Sequence, residues 1–285
     1  EGLTSIGSGA FYGCALTTVT LPDSVDSIGS AAFGGCKTLQ GFTVSAKNQY
    51  YAVKDGVLFN RTRTSLICYP AGRSAASYEI PAGVTTIFSG AFSGCSSLTA
   101  VEFPESVEQI RSAAFSGCSG LTAVEFPESV KQIGDSAFSG CSGLTALELP
   151  EGLKQIGSQA FRGCSSLTSV ILPDSLTSLG EQAFMNCSAI RSVWVGDALT
   201  TIPRYAFWNC AVLTAASLPE GLTRIEQGAF YGTALKDVFY RGTEETWKHV
   251  SVYSGAMPVG AVIHYGTPEQ IAMELPSTVQ LGTSL

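Results

Sequence analysis

An Ala-Phe pair returns along this chain with a fixed step. It places Phe11, Phe33, Phe92, Phe115, Phe138, Phe161, Phe184, Phe207 and Phe230, and the last seven lie 23 residues apart. The first interval is 22 and the second 59, one period plus 36 extra residues. A repeat of this length cannot bury its own apolar face, so successive copies stack and the chain grows as a solenoid. Length alone, at 285 residues, suggests two domains; the repeat overrides that expectation, because coils are added without a single central core.

Each copy has three parts. The first reads Leu-Thr-x-Val-x-Leu-Pro, as at 121–127 and 167–173, with Val and the next apolar residue two apart and Pro closing the strand. The second is a turn followed by an apolar pair such as Val107 and Ile110 or Leu153 and Ile156. The third, Gly-x-x-Ala-Phe-x-x-Cys-x-x-Leu, spaces Ala, Cys and Leu at i, i+4 and i+7, which predicts a short helical or 3₁₀ turn. The predicted fold is therefore a right-handed coil with a parallel sheet on one face and short strands and turns on the return path. Its rings form one continuous spine of nine, each contributing about 1.5–3 kcal/mol.

Eight of the nine cysteines follow the repeated Phe by three residues: Cys14, Cys36, Cys95, Cys118, Cys141, Cys164, Cys187 and Cys210. Stacked coils about 4.8 Å apart align them in a column, with Cβ atoms farther apart than the roughly 3.8 Å a disulfide takes. A buried-thiol ladder follows, not disulfides or a metal row. The structural ladder is thus Phe92, Phe115, Phe138, Phe161, Phe184 and Phe207 with Cys95, Cys118, Cys141, Cys164, Cys187 and Cys210.

The pattern Leu-x-x-Val-x-Leu-Pro-x-x-Val/Leu-x-x-Ile-Gly-x-x-Ala-Phe-x-x-Cys is similar to the BspA-like class of bacterial leucine-rich repeats, over roughly residues 1–266. Ser106, Ser129 or Gly152 stands where the general leucine-rich pattern has Asn, and Cys118 sits on the return path. The resemblance implies a non-enzymatic secreted or cell-surface protein that adheres to host or bacterial surfaces.

We divide the chain into a repeat solenoid over 1–235, a C-terminal cap over 236–266, and a linker or the start of a further domain over 267–285. The opening Glu1-Gly2-Leu3-Thr4 matches the middle of a repeat at 220–223, which places any targeting segment upstream. Residues 45–80 break the period. There, 57–59 and 66–69 flank the polar tip Asn60-Arg61-Thr62-Arg63-Thr64 as a hairpin. This insertion carries a net +3 against −10 for the remainder. In the cap, Thr243 N-caps a helix over 243–250, and Trp247 and Tyr265 cover the last coil.

A net charge of −7 argues against nucleic acid, and the chain has no apolar run long enough for membrane insertion. His249 and His264 lack metal-ligand spacing and read as packing residues of the cap. No catalytic residues, metal site or cofactor are expected, and the chain is expected to be monomeric. The residues between Val and Leu of the first strand point outward, giving the strip Glu102, Glu125, Glu148, Ile171 and Trp194. Stacked carboxylates repel unless something offsets them, which suits a basic partner or bridging Ca²⁺, while Trp194 beside Ile171 is read as an exposed interface anchor. The expected partner is a protein or glycan on a host or bacterial surface. A glycan-binding accessory module and a rigid spacer of a larger surface protein are the alternatives.

Overall fold

A computed structural model describes residues 2–266. The chain winds into a parallel β-solenoid of about 11 turns with almost no helix. Each regular coil contributes a longer strand such as Ala123–Glu125 and a two-residue strand such as Gln132–Ile133. Both pair in register with their counterparts 23 residues on, so Val124 meets Leu147 and Ile133 meets Ile156. Because side chains alternate along a strand, Val124 and Ile133 are buried while Glu125 and Gln132 face solvent.

The two columns differ in continuity. Short strands from Thr86–Ile87 to Ser178–Leu179 belong to one unbroken sheet, whereas the longer strands part between Ala100–Glu102 and Ala123–Glu125 and again between Ala146–Glu148 and Ser169–Ile171. From Ser169–Ile171 the longer strands run without a break through Ser192–Trp194, Ala215–Leu218, Asp237–Tyr240 and Val262–Tyr265.

Where the spacing predicts a helical or 3₁₀ turn, the chain forms β-turns in series. In the coil of Phe115, the N–H groups of Ala114, Ser116 and Cys118 donate three residues back, to Arg111, Ala113 and Phe115. The alternate N–H groups of Ala113, Phe115 and Gly117 donate instead to Asp135, Ala137 and Ser139 of the next coil. A helix would satisfy every donor internally; here half of them bind the neighbouring coil, so stacking and turn formation are one event.

This geometry puts a non-glycine residue at positive φ in five consecutive coils: Ala113, Ser136, Gln159, Gln182 and Tyr205, at 54–60°. Left-handed backbone costs an L-residue roughly 1–2 kcal/mol, against about 0.5–1 kcal/mol of extra chain entropy for glycine. Ser136→Gly is therefore expected to stabilise the protein by about 0.5–1 kcal/mol, read as a raised urea midpoint at unchanged slope.

Serine takes over the work of the asparagine it replaces. The hydroxyls of Ser106, Ser129 and Ser175 donate to the carbonyls of Val84, Val107 and Leu153 in the preceding coil, at 2.6–2.8 Å. At the insertion, fully buried Asn48 fills a similar place. Its amide donates to Pro22 and Val25 carbonyls, and its oxygen accepts from the N–H groups of Tyr50 and Tyr51.

Seven rings, Phe92 to Phe230, stack with centroids 4.6–5.5 Å apart and planes within 4–9°. The expected unbroken spine of nine is corrected: the insertion separates Phe33 from Phe92. Strands Tyr51–Lys54, Val57–Asn60 and Ser65–Cys68 form an antiparallel meander, and the last of them pairs in parallel with Thr86–Ile87, standing in for a short strand. Tyr69 then stacks on Phe92 at 5.2 Å, while Phe33 meets Phe42 edge-on. The meander is buried on both sides. Leu58, Ile67 and Cys68 join the N-terminal core, and Val57, Phe59, Leu66 and Tyr69 join the C-terminal one.

Residues 236–266 continue both columns beyond Phe230. Asp237–Tyr240 pairs with Ala215–Leu218, and Ser251–Val252 pairs with Arg224–Ile225. The Phe230 N–H donates to the Ala256 carbonyl, so Gly255-Ala256-Met257 repeats Gly228-Ala229-Phe230 with Met257 in the ring position. The helix is shorter than the spacing suggests, Glu244–Trp247, capped reciprocally by Thr243 and Thr246. Trp247 packs edge-on against Tyr240, and Tyr265 approaches the same ring. The linker expected over 267–285 lies outside the described residues, as does Glu1.

Candidate binding face

The longer strands carry the outward column. Register sets Glu79 opposite Glu102, Glu125 opposite Glu148, Ile171 opposite Trp194, Trp194 opposite Ser217, and Phe239 opposite His264. All four glutamates are exposed, and among the described residues none of them forms an ion pair. Adjacent strands lie about 4.8 Å apart, close enough for like charges to repel. Where the sheet parts between Glu102 and Glu125, an open cleft of about 590 Å³ is lined by Glu102, Glu105, Phe103 and Phe126.

The C-terminal half of the column differs from the expectation of an exposed Trp194. Trp194 is half-buried against Ala215 and Phe239, and the Arg241 guanidinium lies 4.2 Å from its ring centroid. Arg241 is itself buried. It donates to the Ser217 hydroxyl, the Val195 carbonyl and the Asp197 carboxylate. These bonds satisfy a charge that would otherwise be costly to bury. One face of Trp194 is therefore occupied from within. Next to it His264 stacks on Phe239 at 4.8 Å and pairs with Asp237 at 2.9 Å. The outward face is thus acidic and open over Glu79–Glu148, and aromatic and self-covered beyond Ile171.

The cysteines have a bonding role that the sequence does not display. Each thiol of Cys36, Cys118, Cys141, Cys164, Cys187 and Cys210 donates to the carbonyl of the repeated Phe one coil back, at 3.0–3.3 Å. All nine cysteines are free thiols, and only Cys14 is partly exposed. Burial pushes the thiols of Cys118, Cys141 and Cys210 well above their ordinary value; at Cys164 the neighbouring Cys187 thiol acts first and burial second. Held as neutral donors, these thiols are poor nucleophiles. No group of three or more potential metal ligands is brought together among the described residues.

Residues 62–157 and 141–250 match the profile of the BspA type leucine-rich repeat region, in six copies. The chain belongs to this family.

Among solved structures, a leucine-rich repeat protein from Eubacterium ventriosum is 30% identical, with a TM-score of 0.76 over 83% of this chain and 64% of that one. A leucine-rich cell surface protein from Faecalibacterium prausnitzii is 28% identical, with a TM-score of 0.56 over 87% of this chain and 54% of its own. The pneumococcal vaccine antigen PcpA shares the fold at 22% identity and a TM-score of 0.66, over 94% of this chain and 60% of its own. The chain thus spans between about half and two thirds of these relatives. No curated protein matches it. No helix among the described residues is long and apolar enough to cross a membrane. In this BspA-type repeat the cysteine column belongs to the scaffold, and Arg241 is the site-shaping residue that periodicity missed. It lies outside the repeated motif, 47 positions after the indole that it covers.

Proposed function

We propose that this BspA-type solenoid is a non-enzymatic, secreted or cell-surface binding module that engages a basic protein partner through its outward strand face. The observation that carries it is the run Glu79, Glu102, Glu125 and Glu148, exposed and without cationic partners among the described residues. Like charges in register are a standing cost that a cationic surface would remove, and such complementarity speeds association and selects partners. The cleft between Glu102 and Glu125 offers that surface a recess. Farther along the same column, past Glu148, Ile171 and Trp194 form its apolar end. Family membership and the cell-surface relative support an extracellular setting.

The test is retention of extracellular proteins of graded pI on the immobilised chain. Basic proteins are expected to bind, to be released as salt shortens the Debye length from about 10 Å at 0.1 M to about 3 Å at 1 M, and to be lost in Glu102→Lys/Glu125→Lys/Glu148→Lys. Unchanged retention by the triple variant would remove the strand face from consideration.

A further inference from the structure

The longer strands part directly beneath the glutamates. In other coils the residue that follows the strand ties it to the next one: the N–H groups of Ile80, Leu172 and Val195 donate to the carbonyls of Glu102, Trp194 and Ser217 at 2.8–3.0 Å. Phe103, Phe126 and Leu149 hold this place in the coils between. Among the described residues none of their N–H groups donates to a backbone carbonyl. The carbonyls of Glu125 and Glu148 thereby lack the donor that Ile80 supplies to Glu102.

Two features of these coils hold the strands apart. Phe103 and Phe126 stand where other coils carry Leu, Ile or Val, as at Leu21, Ile80, Leu172 and Val195. Their rings lie 5.7 Å apart and turn edge-on to the ring column at Phe115 and Phe138. Glu102 and Glu125 add like charges at the same level, both exposed. The result is the cleft of about 590 Å³, with Glu102, Glu105 and Glu125 at its rim and the two Phe rings among its lining. Phe103 stays partly exposed there, whereas Phe126 is almost fully buried.

The cleft thus offers a guest three things at once: carboxylates, backbone groups left without partners, and phenyl carbon. A lysine ammonium is a compact, strongly hydrated charge and would draw mainly on the first. Arginine matches all three. Its planar guanidinium holds several N–H donors in a fixed fork, enough to bind a carboxylate through two bonds and still reach a carbonyl, and its apolar stem can lie against the Phe103 ring. We propose that the cleft between Glu102 and Glu125 is a pocket for one arginine side chain, presented by an extended segment of a partner protein. The pocket rests on the reading of the strand face as a surface for basic proteins, and narrows it to one side-chain type at one place.

The probes are capped pentapeptides Gly-Thr-Xaa-Thr-Gly with arginine, lysine or the neutral isostere citrulline at the centre, titrated against the full chain by calorimetry at low salt. The arginine peptide is expected to bind with a Kd of about 1 mM or below, the lysine peptide about fivefold more weakly and the citrulline peptide at least about tenfold more weakly. Glu102→Gln/Glu125→Gln should keep the wild-type melting temperature and weaken the arginine peptide by about tenfold or more. Glu128→Gln/Glu151→Gln removes the same charge from exposed positions on the neighbouring corner and should change its Kd by less than about twofold. Equal binding of the arginine and lysine peptides, equal effects of the two double variants, or no binding of the arginine peptide overturns the proposal. Retention of basic proteins judges the broader reading separately. If they are retained by the wild-type chain and lost in the triple lysine variant, but no arginine preference appears, that reading stands and the pocket falls; arginine-selective binding without protein retention does the reverse.

Discussion

Above pH 9 the protein is expected to unfold cooperatively while its peptide chain stays intact. Burial raises the thiols of Cys68, Cys118, Cys141 and Cys210 from an ordinary value of 9.0, and at Cys164 the neighbouring Cys187 thiol acts ahead of burial in the same direction. The folded state therefore holds protons that the unfolded chain releases above pH 9. Stability is complete below that pH and falls as pH rises towards the folded-state values, because the unfolded state binds fewer protons. Each such thiol adds to the slope of stability against pH, so the losses accumulate along the column. Tyr78, pushed up by burial to about 12, adds to the loss above pH 10. Far-UV circular dichroism against pH should show a steep transition beginning soon after pH 9. Replacing Cys118, Cys141, Cys164 and Cys210 by Ala should move it upward even if stability at pH 7 falls. A transition that stays put in that variant would show that the ladder is not its cause. Below pH 9, thiol reagents should modify Cys14 quickly and the other eight cysteines only after denaturation.

The second large effect is expected at the ring column. Phe161 is fully buried and stacks on Phe138 at 5.4 Å and on Phe184 at 5.2 Å. Its truncation to Ala removes apolar burial, leaves a cavity and interrupts two ring contacts, at a cost of about 3–5 kcal/mol. Phe11 stacks only on Phe33 and is 37% exposed, so Phe11→Ala should cost about 1 kcal/mol or less. A solenoid holds together through neighbouring coils, so a central defect also weakens both interfaces it touches. Urea unfolding of Phe161→Ala should lose cooperativity, and amide exchange should speed up most between residues 138 and 184. Equal losses at Phe11 and Phe161 would mean that the rings do not form a shared spine.

Much of the candidate face was legible because a strict repeat writes register directly into the sequence. Two residues 23 positions apart in identical surroundings become neighbours, which is why the repeat alone sets Glu125 opposite Glu148. The same rule does not extend to contacts made by a residue that has no counterpart in the next coil. Arg241 reaches Trp194, Ser217, Val195 and Asp197 across two coils, and nothing in the spacing of the indoles and arginines marks it. The exposed anchor expected at Trp194 is half-covered for that reason.

The corner turns mark a second boundary. Ala, Cys and Leu at i, i+4 and i+7 suit a helical turn, and local spacing alone favours that outcome. It loses because alternate N–H groups find carbonyls in the adjoining coil, a partner that the local pattern does not contain. Tyr69 and Met257 fill the ring position by shape and place, without the Ala-Phe signature that reveals the others.

The sequence by itself determined the solenoid, its 23-residue step, the buried ring and thiol columns, and the outward glutamates, since each follows from side chains repeated in identical surroundings. Tertiary structure alone decided where the spine is interrupted and which half of the outward face stays open. Those outcomes depend on single residues reaching across coils, and a contact made once leaves no period to read.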